Sequence, residues 1–232
     1  MKIFEDTLRK HGLEITPRDD WYMRVTSLGG MNDSQMEYYE RDYNLPLMHE
    51  VNKMEKTFSY RAIENYMMLK HGLERTDWMQ KDEAKRSMDE GKPVPPSLYK
   101  KDFSGITAIE AETGMSAEEF ITDFEQKYDT THFWELVNKA NKNAVQIQFD
   151  RGMIDKATYD DLKTRYQYYI PLRGFDKEVA EDRWDYSPDM GTHFVKPVIK
   201  ANGRTSRAEK PFAYIFQMNH SAITSGNKNY LS

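Results

Sequence analysis

Cysteine is absent from the 232 residues, which removes a disulfide framework, a thiolate zinc site and a cysteine nucleophile together. Long apolar runs are absent as well: nothing approaches the roughly 18 consecutive apolar residues that a membrane span needs. The opening Met1-Lys2-Ile3-Phe4-Glu5-Asp6 also lacks the apolar core of a secretory signal. These gaps predict a cytoplasmic chain with no membrane partner, in which the Asn-x-Ser matches at Asn32 and Asn219 carry no sugar. The short signatures of catalysis are missing too. There is no nucleophile elbow, phosphate loop, dinucleotide fingerprint or His-Glu-x-x-His pair, and Gly29-Gly30 alone cannot cradle a phosphate. No catalytic residue and no cofactor is assigned, and a non-catalytic role is favoured.

What is present is a chain about one and a half times a typical domain, long enough to bury a sizeable core without metals or disulfides. Its net charge of −5 is unevenly spread. Residues 191–232 carry Lys196, Lys200, Arg204, Arg207, Lys210 and Lys228 against the single acid Glu209, so the acidic excess lies in residues 1–190. A basic end of this kind either faces a nucleic acid or packs on an acidic body.

Helical periodicity dominates. Residues 3–11 read as a short helix stopped by Gly12. Thr16-Pro17-Arg18-Asp19 starts a second one, and Gly29-Gly30 is expected to break it. Leu47, Val51, Met54, Phe58, Ala62, Tyr66, Leu69 and Leu73 form one apolar stripe, which predicts a single long helix from Leu47 to Met88, either kinked near Gly72 or forming the spine of an elongated bundle. It ends before the prolines of Gly91-Lys92-Pro93-Val94-Pro95-Pro96. Ser116-Ala117-Glu118-Glu119 is a capping box. A helix from His132 to Arg151 stops at Gly152, and Asp155 caps the next one, which carries Tyr159, Leu162, Tyr166 and Tyr169 up to Pro171. Beyond 171 the pattern dissolves into loop. His193 to Ile199 is a candidate strand and Asn202-Gly203 a candidate hairpin turn. Pro211 opens a stretch that fits strand or helix, with helix favoured because Ala222 and Ile223 continue its stripe.

Two constellations are candidates for chemistry. His71 and Glu74 lie three apart on one helix with Glu64 two turns earlier, a spacing that can share a metal ion or can be a solvated polar face. Arg165-Tyr166-Gln167-Tyr168-Tyr169 and Arg173 combine rings with positive charge, as a single-strand binder does. Arg165, Tyr168 and Arg173, with Lys196, Lys200, Arg204, Arg207 and Lys210, therefore form the candidate nucleic-acid set. Against this, tyrosines at helical spacing are more often core. Met67-Met68 and Met79 are candidates to line a groove for another helix, with core filling as the default.

The passage from Gly152-Met153-Ile154-Asp155 to Tyr168-Tyr169-Ile170-Pro171-Leu172-Arg173-Gly174 resembles a recurring phrase, "G-[ML]-I … Y-x-x-L … Y-x-x-Y-[VI]-P-L-R-G". That phrase closes a helical module in the large polyvalent proteins of bacteriophages and conjugative elements. Tyr66 to Arg75 is similar to a "Y-x-x-x-K-H-x-x-E-R" helix in the same proteins, and Gly203-Arg204-Thr205-Ser206-Arg207-Ala208 with Pro211 resembles their downstream passage. The resemblance implies a piece of a longer mobile-element protein whose other regions process DNA. It transfers no catalytic residue.

The expectation is a mainly α fold: an elongated helical bundle around one long helix. Residues 1–175 form the helical domain, and 176–232 an irregular basic C-terminal region that holds a small β-hairpin and continues into a longer parent. The expected function is a non-catalytic scaffold or interaction module whose partners are other domains of the parent protein, with DNA as a second partner. A nucleic-acid-binding domain and a metal-dependent enzyme are the two alternatives.

Overall fold

The computed structural model describes residues 21–172, 206–208 and 210–231, with Thr7 and Lys10 as isolated positions. Of the expected first helix only Thr7 and Lys10 are described, both helical, and the capping start at Thr16 and the hairpin around Asn202-Gly203 lie outside the described residues. Among the described residues the chain is mainly α-helical and has no β-strand. The elements are α1 (Trp21–Tyr39), a π-helical turn (Glu40–Asn44), α2 (Leu45–Met54), α3 (Tyr60–Asp89), a 3₁₀ turn (Pro96–Lys100), α4 (Ile106–Thr113), α5 (Ala117–Lys127), α6 (Thr131–Asp150), α7 (Lys156–Thr164) and α8 (Pro211–Leu231).

Gly29-Gly30 does not break the chain, because α1 runs straight through it. Both glycines are exposed in mid-helix, and a Cβ at either would meet nothing within 4 Å. Each therefore costs helix stability without serving a contact. Gly29→Ala and Gly30→Ala are expected to stabilise the fold by about 0.5–1 kcal/mol each, read as a higher urea midpoint.

The π-helical turn has a local cause. Pro46 has no N–H to give the carbonyl of Asp42, four residues earlier, so the regular ladder cannot continue there. That carbonyl instead accepts the Lys139 ammonium at 3.1 Å. Backbone angles stay helical on both sides, at φ −60, ψ −46 for Tyr39 and φ −59, ψ −46 for Leu45, so the chain passes from α1 to α2 through one widened turn.

The single helix expected from Leu47 to Met88 is two helices. The chain leaves the helix after Met54, and Ser59 restarts it in an extended conformation (φ −70, ψ 152), its hydroxyl accepting the Ala62 N–H at 3.2 Å. Phe58 sits in the intervening turn and stacks on Phe124 at 3.8 Å. The apolar stripe thus crosses a turn without losing its spacing. The helix runs unbroken through Gly72. A Cβ there would lie 3.1 Å from Ile106 Cγ1 and 3.3 Å from Ser104 Cβ, so this glycine lets the connection before α4 rest on the helix backbone.

α3 is still the spine, with 30 residues and a length of about 45 Å. Ile63 to Leu69 are all buried, so this part of the helix is covered on every side. α2, α4, α5 and α8 pack around it, and the core joins Val51 and Met54 of α2 to Phe124 of α5, Phe133 and Val137 of α6, Ile170, and Phe212 and Ile215 of α8. The later half of α3 covers only a small cluster of Ala84, Leu98 and Phe103. Ser116 and Glu119 form the expected capping box, and Asp155 accepts the Thr158 N–H at 2.8 Å to cap α7. Residues 206–208 and 210–231, placed by the sequence in the C-terminal region, join this same core: Ala208 is buried in it, and α8 lies along α6 and α1. Amide pairs fix that register, with Asn143 donating to Asn219 at 3.0 Å and Asn227 to Asn32 and Gln35 at 2.9 and 3.0 Å.

Candidate functional site

α7 ends at Thr164, short of Tyr166 and Tyr169, and residues 165–172 leave the helix as a strap laid across α3 and α6. Pro171 disfavours helical geometry at Ile170, and backbone groups freed from a helix need other partners. Side chains supply them. The Glu74 carboxylate accepts the N–H of Gln167 at 2.6 Å and of Tyr168 at 2.9 Å. Asn138 donates to the Gln167 carbonyl at 2.9 Å, and Asn141 to that of Tyr169 at 2.7 Å. Ile170 is fully buried, so the strap is pinned into the core by its apolar end as well.

His71 lies under this strap. Its ring meets those of Tyr166 and Tyr169 edge-on at 5.0 and 5.4 Å, and its Nδ1 has no hydrogen-bond partner among the described residues. Burial pushes its pKa down to about 3, the Arg75 charge adds to that, and a backbone hydrogen bond with Tyr168 opposes it. The imidazole is therefore neutral at pH 7. Arg75, one turn on, donates to the Phe103 carbonyl and, at 3.3 Å, to Ser104 Oγ.

The three metal candidates do not converge. Glu64 faces Arg207 at 3.8 Å, Glu74 is committed to backbone N–H groups, and His71 is enclosed by tyrosines. No group of three or more His, Asp or Glu with metal-holding geometry occurs among the described residues. The spacing along α3 is legible in the sequence, but each residue meets a different neighbour.

Of the nucleic-acid set, Arg165, Tyr168, Arg207 and Lys210 lie among the described residues. Arg165 pairs with Asp161 and lies over the Trp78 ring at 4.5 Å. Tyr168 is half-buried, edge-on to Trp134 at 5.0 Å, with the Lys70 ammonium 4.9 Å above its ring. Arg207 has only 11% of its side chain exposed, and it spans Asn65 Oδ1 at 2.9 and 3.1 Å and Glu112 at 3.5 Å. The Arg61 guanidinium holds Glu112 from the other side at 2.7 and 2.8 Å and keeps its carboxyl below the usual range. Arg165 and Arg207 also lie near positions 78 and 65 of α3, roughly 20 Å apart along the helix. Lys210 is exposed at the start of α8. Arg173, Lys196, Lys200 and Arg204 lie outside the described residues. Arg207→Ala is expected to cost roughly 1.5 kcal/mol by chemical denaturation, with Arg207→Lys restoring only part because an ammonium cannot span the same partners.

Sequence reasoning passes over Asn138, Asn141, Asn65 and Glu112. Asn141 carries a signal, a polar side chain on the apolar face of α6 beside Ala140 and Ala144, where it is buried. The others have none, since their partners lie between 29 and 142 residues away.

One open groove runs beside the strap. It has a volume of about 390 Å³ and is lined by Lys70, Glu74, Glu118, Ile121, Gln167 and Tyr168 among others. Lys70 bonds Glu125 there at 2.7 Å, and Glu125 also accepts the buried Tyr66 hydroxyl at 2.7 Å. Thr130 and the Trp134 indole complete the shell of that hydroxyl at 2.9 and 3.0 Å. Lys70 is the single cation lining the groove, against the carboxylates of Glu74 and Glu118. No family model matches the chain, and no curated protein or solved structure matches it either.

Proposed function

We propose that this chain is a non-catalytic helical scaffold and interaction module that works beside other domains of a larger mobile-element protein. One observation carries the reading: the polar residues that suggested chemistry are spent on tying separate segments of the chain to α3. Glu74 and His71 hold the strap, Arg75 holds the turn before α4, and Glu64 with Asn65 holds Arg207. Two of the three passages behind the resemblance, Tyr66 to Arg75 and the described part of Gly152 to Gly174, meet at this point. A family can keep such phrases for packing alone, so the reading needs no active site.

The test is a pair of measurements on the purified chain: metal content, and a titration of labelled single- and double-stranded DNA at rising salt. Neither bound metal nor DNA binding is expected. Stoichiometric metal lost on His71→Ala would replace the reading with a metal-dependent enzyme. Binding that weakens steeply with salt and is lost on reversing Lys196, Lys200, Arg204 and Lys210 would replace it with a nucleic-acid module.

A further inference from the structure

Past Trp78, the described contacts that α3 makes outside its own helix run to the loop that follows it. Ala84 packs with Leu98 and Phe103, Gln80 donates to the Lys101 carbonyl at 3.2 Å, and Glu83 faces the Lys101 ammonium at 3.7 Å. What this end of the helix holds in place is a run of prolines. Gly91, at φ 68, turns the chain, and the N–H groups of Gly91 and Lys92 close onto the carbonyls of Met88 and Ser87 at 2.9 and 2.8 Å. Lys92-Pro93-Val94-Pro95-Pro96 follows. The rings fix φ at Pro93 and Pro95, and the proline after each of Lys92, Val94 and Pro95 drives that residue out of the helical region. Residues 92–95 are accordingly neither helix nor strand, and Pro95 stands at φ −72, ψ 135, the polyproline II conformation.

This run is anchored and exposed at once. Val94 packs on the Ala84 cluster, and the Leu98 N–H bonds the Pro95 carbonyl at 2.9 Å to start the 3₁₀ turn that buries Leu98. Pro93, Pro95 and Pro96 face solvent, and the carbonyls of Pro93 and Val94 meet no donor among the described residues. Resting on the interaction-module reading, we infer that Pro93 to Tyr99 is a docking ligand presented on α3, and that it takes a partner domain whose groove is lined with aromatic side chains. Polyproline II has about three residues per turn, so Pro93 and Pro96 share one edge, and rings on such an edge fit between aromatic side chains whose N–H or O–H groups reach the free carbonyls. The segment is ordered before it binds, so little conformational entropy is lost on docking. Tyr99, 57% exposed, extends the apolar surface. Lys100 pairs with no carboxylate among the described residues, which favours an acidic rim on the partner groove.

The experiment titrates the full chain into two isotope-labelled probes, a WW domain and a Src-homology 3 domain, and follows the indole N–H of the groove tryptophan by NMR. Saturable shifts are expected in at least one probe, with affinity falling roughly tenfold on Pro93→Ala combined with Pro96→Ala. Both prolines are exposed, so circular dichroism should show the helices of that variant intact. A peptide of residues 91–99 should displace the chain from the probe, which keeps the inference testable if the variant loses its fold. No shift in either probe, or binding that ignores the two substitutions and the peptide, overturns the inference. Either result leaves the scaffold reading standing, since that reading falls only to metal or DNA binding.

Discussion

Gly105→Ala is expected to cost about 4 kcal/mol, the largest effect of a Cβ added at any of the described glycines. Gly105 sits at φ 76, ψ 24, a left-handed conformation that costs a residue with a Cβ roughly 1–2 kcal/mol. The added carbon would also lie 2.1 Å from the Ser206 carbonyl oxygen and 2.8 Å from its carbon. Neither side can retreat. Asp102 clamps the turn, accepting the N–H groups of Ser104, Gly105 and Thr107 at 2.8, 2.9 and 2.9 Å, while Arg75 and Thr76 bond Ser104 from α3. On the far side, moving residues 206–208 would pull Arg207 from Asn65 and the buried Ala208 from the core. Gly114→Ala and Gly152→Ala provide the control, because both sit at positive φ with nothing within 4 Å of an added Cβ. Those two should cost about 1 kcal/mol each. Equal losses at all three sites, measured by urea denaturation, would show that the contact with Ser206 contributes nothing.

Acidification is expected to remove about 2 kcal/mol of stability between pH 7 and pH 5 through His71 alone. The folded-state pKa lies near 3, below the ordinary 6.5, so the unfolded chain takes up the proton first. Stability from the neutral imidazole is complete above the unfolded value and is lost as pH falls through the window between 6.5 and 3, at up to about 1.4 kcal/mol per unit. His71→Leu should abolish this slope whatever it does to stability at pH 7. The carboxyls held below their usual range, such as Glu112 by Arg61, contribute stability that is lost only lower, as pH drops below their ordinary values. A wild-type stability that stays flat from pH 7 to pH 5, or a slope that survives His71→Leu, would rule out the buried neutral imidazole.

Much of the fold is legible in the sequence because it is written in local chemistry. The Ser116 capping box, the Asp155 cap and the stop at Gly152 each depend on residues within one turn of each other, and each appears where the sequence places it. The apolar face of α6 is readable for the same reason. Sequence and structure part where a local signal has two outcomes. Gly29-Gly30 breaks a helix only if nothing else holds the helix, and α1 is held along α8. The stripe from Leu47 to Leu73 has the same spacing whether the chain continues or turns at Ser59, and only the Ser59 cap tells the two apart. The candidate site is less legible still. The spacing of His71 and Glu74 suggests a shared metal, yet one lies beneath tyrosines and the other caps a backbone 93 residues away.

By itself, then, the sequence determined a cysteine-free, mainly helical chain and the local starts and stops of some helices: the caps at Ser116 and Asp155, the end of α6 before Gly152 and the start of α8 at Pro211. Only the tertiary structure decided what Glu74, His71 and Arg207 do, because a carboxylate, an imidazole or a guanidinium takes its role from what stands opposite it. For Glu74 that is a strap of free N–H groups, for His71 an aromatic enclosure, and for Arg207 the Asn65 amide with Glu64 and Glu112. Those neighbours come from segments far along the chain, and spacing on one helix carries no information about them.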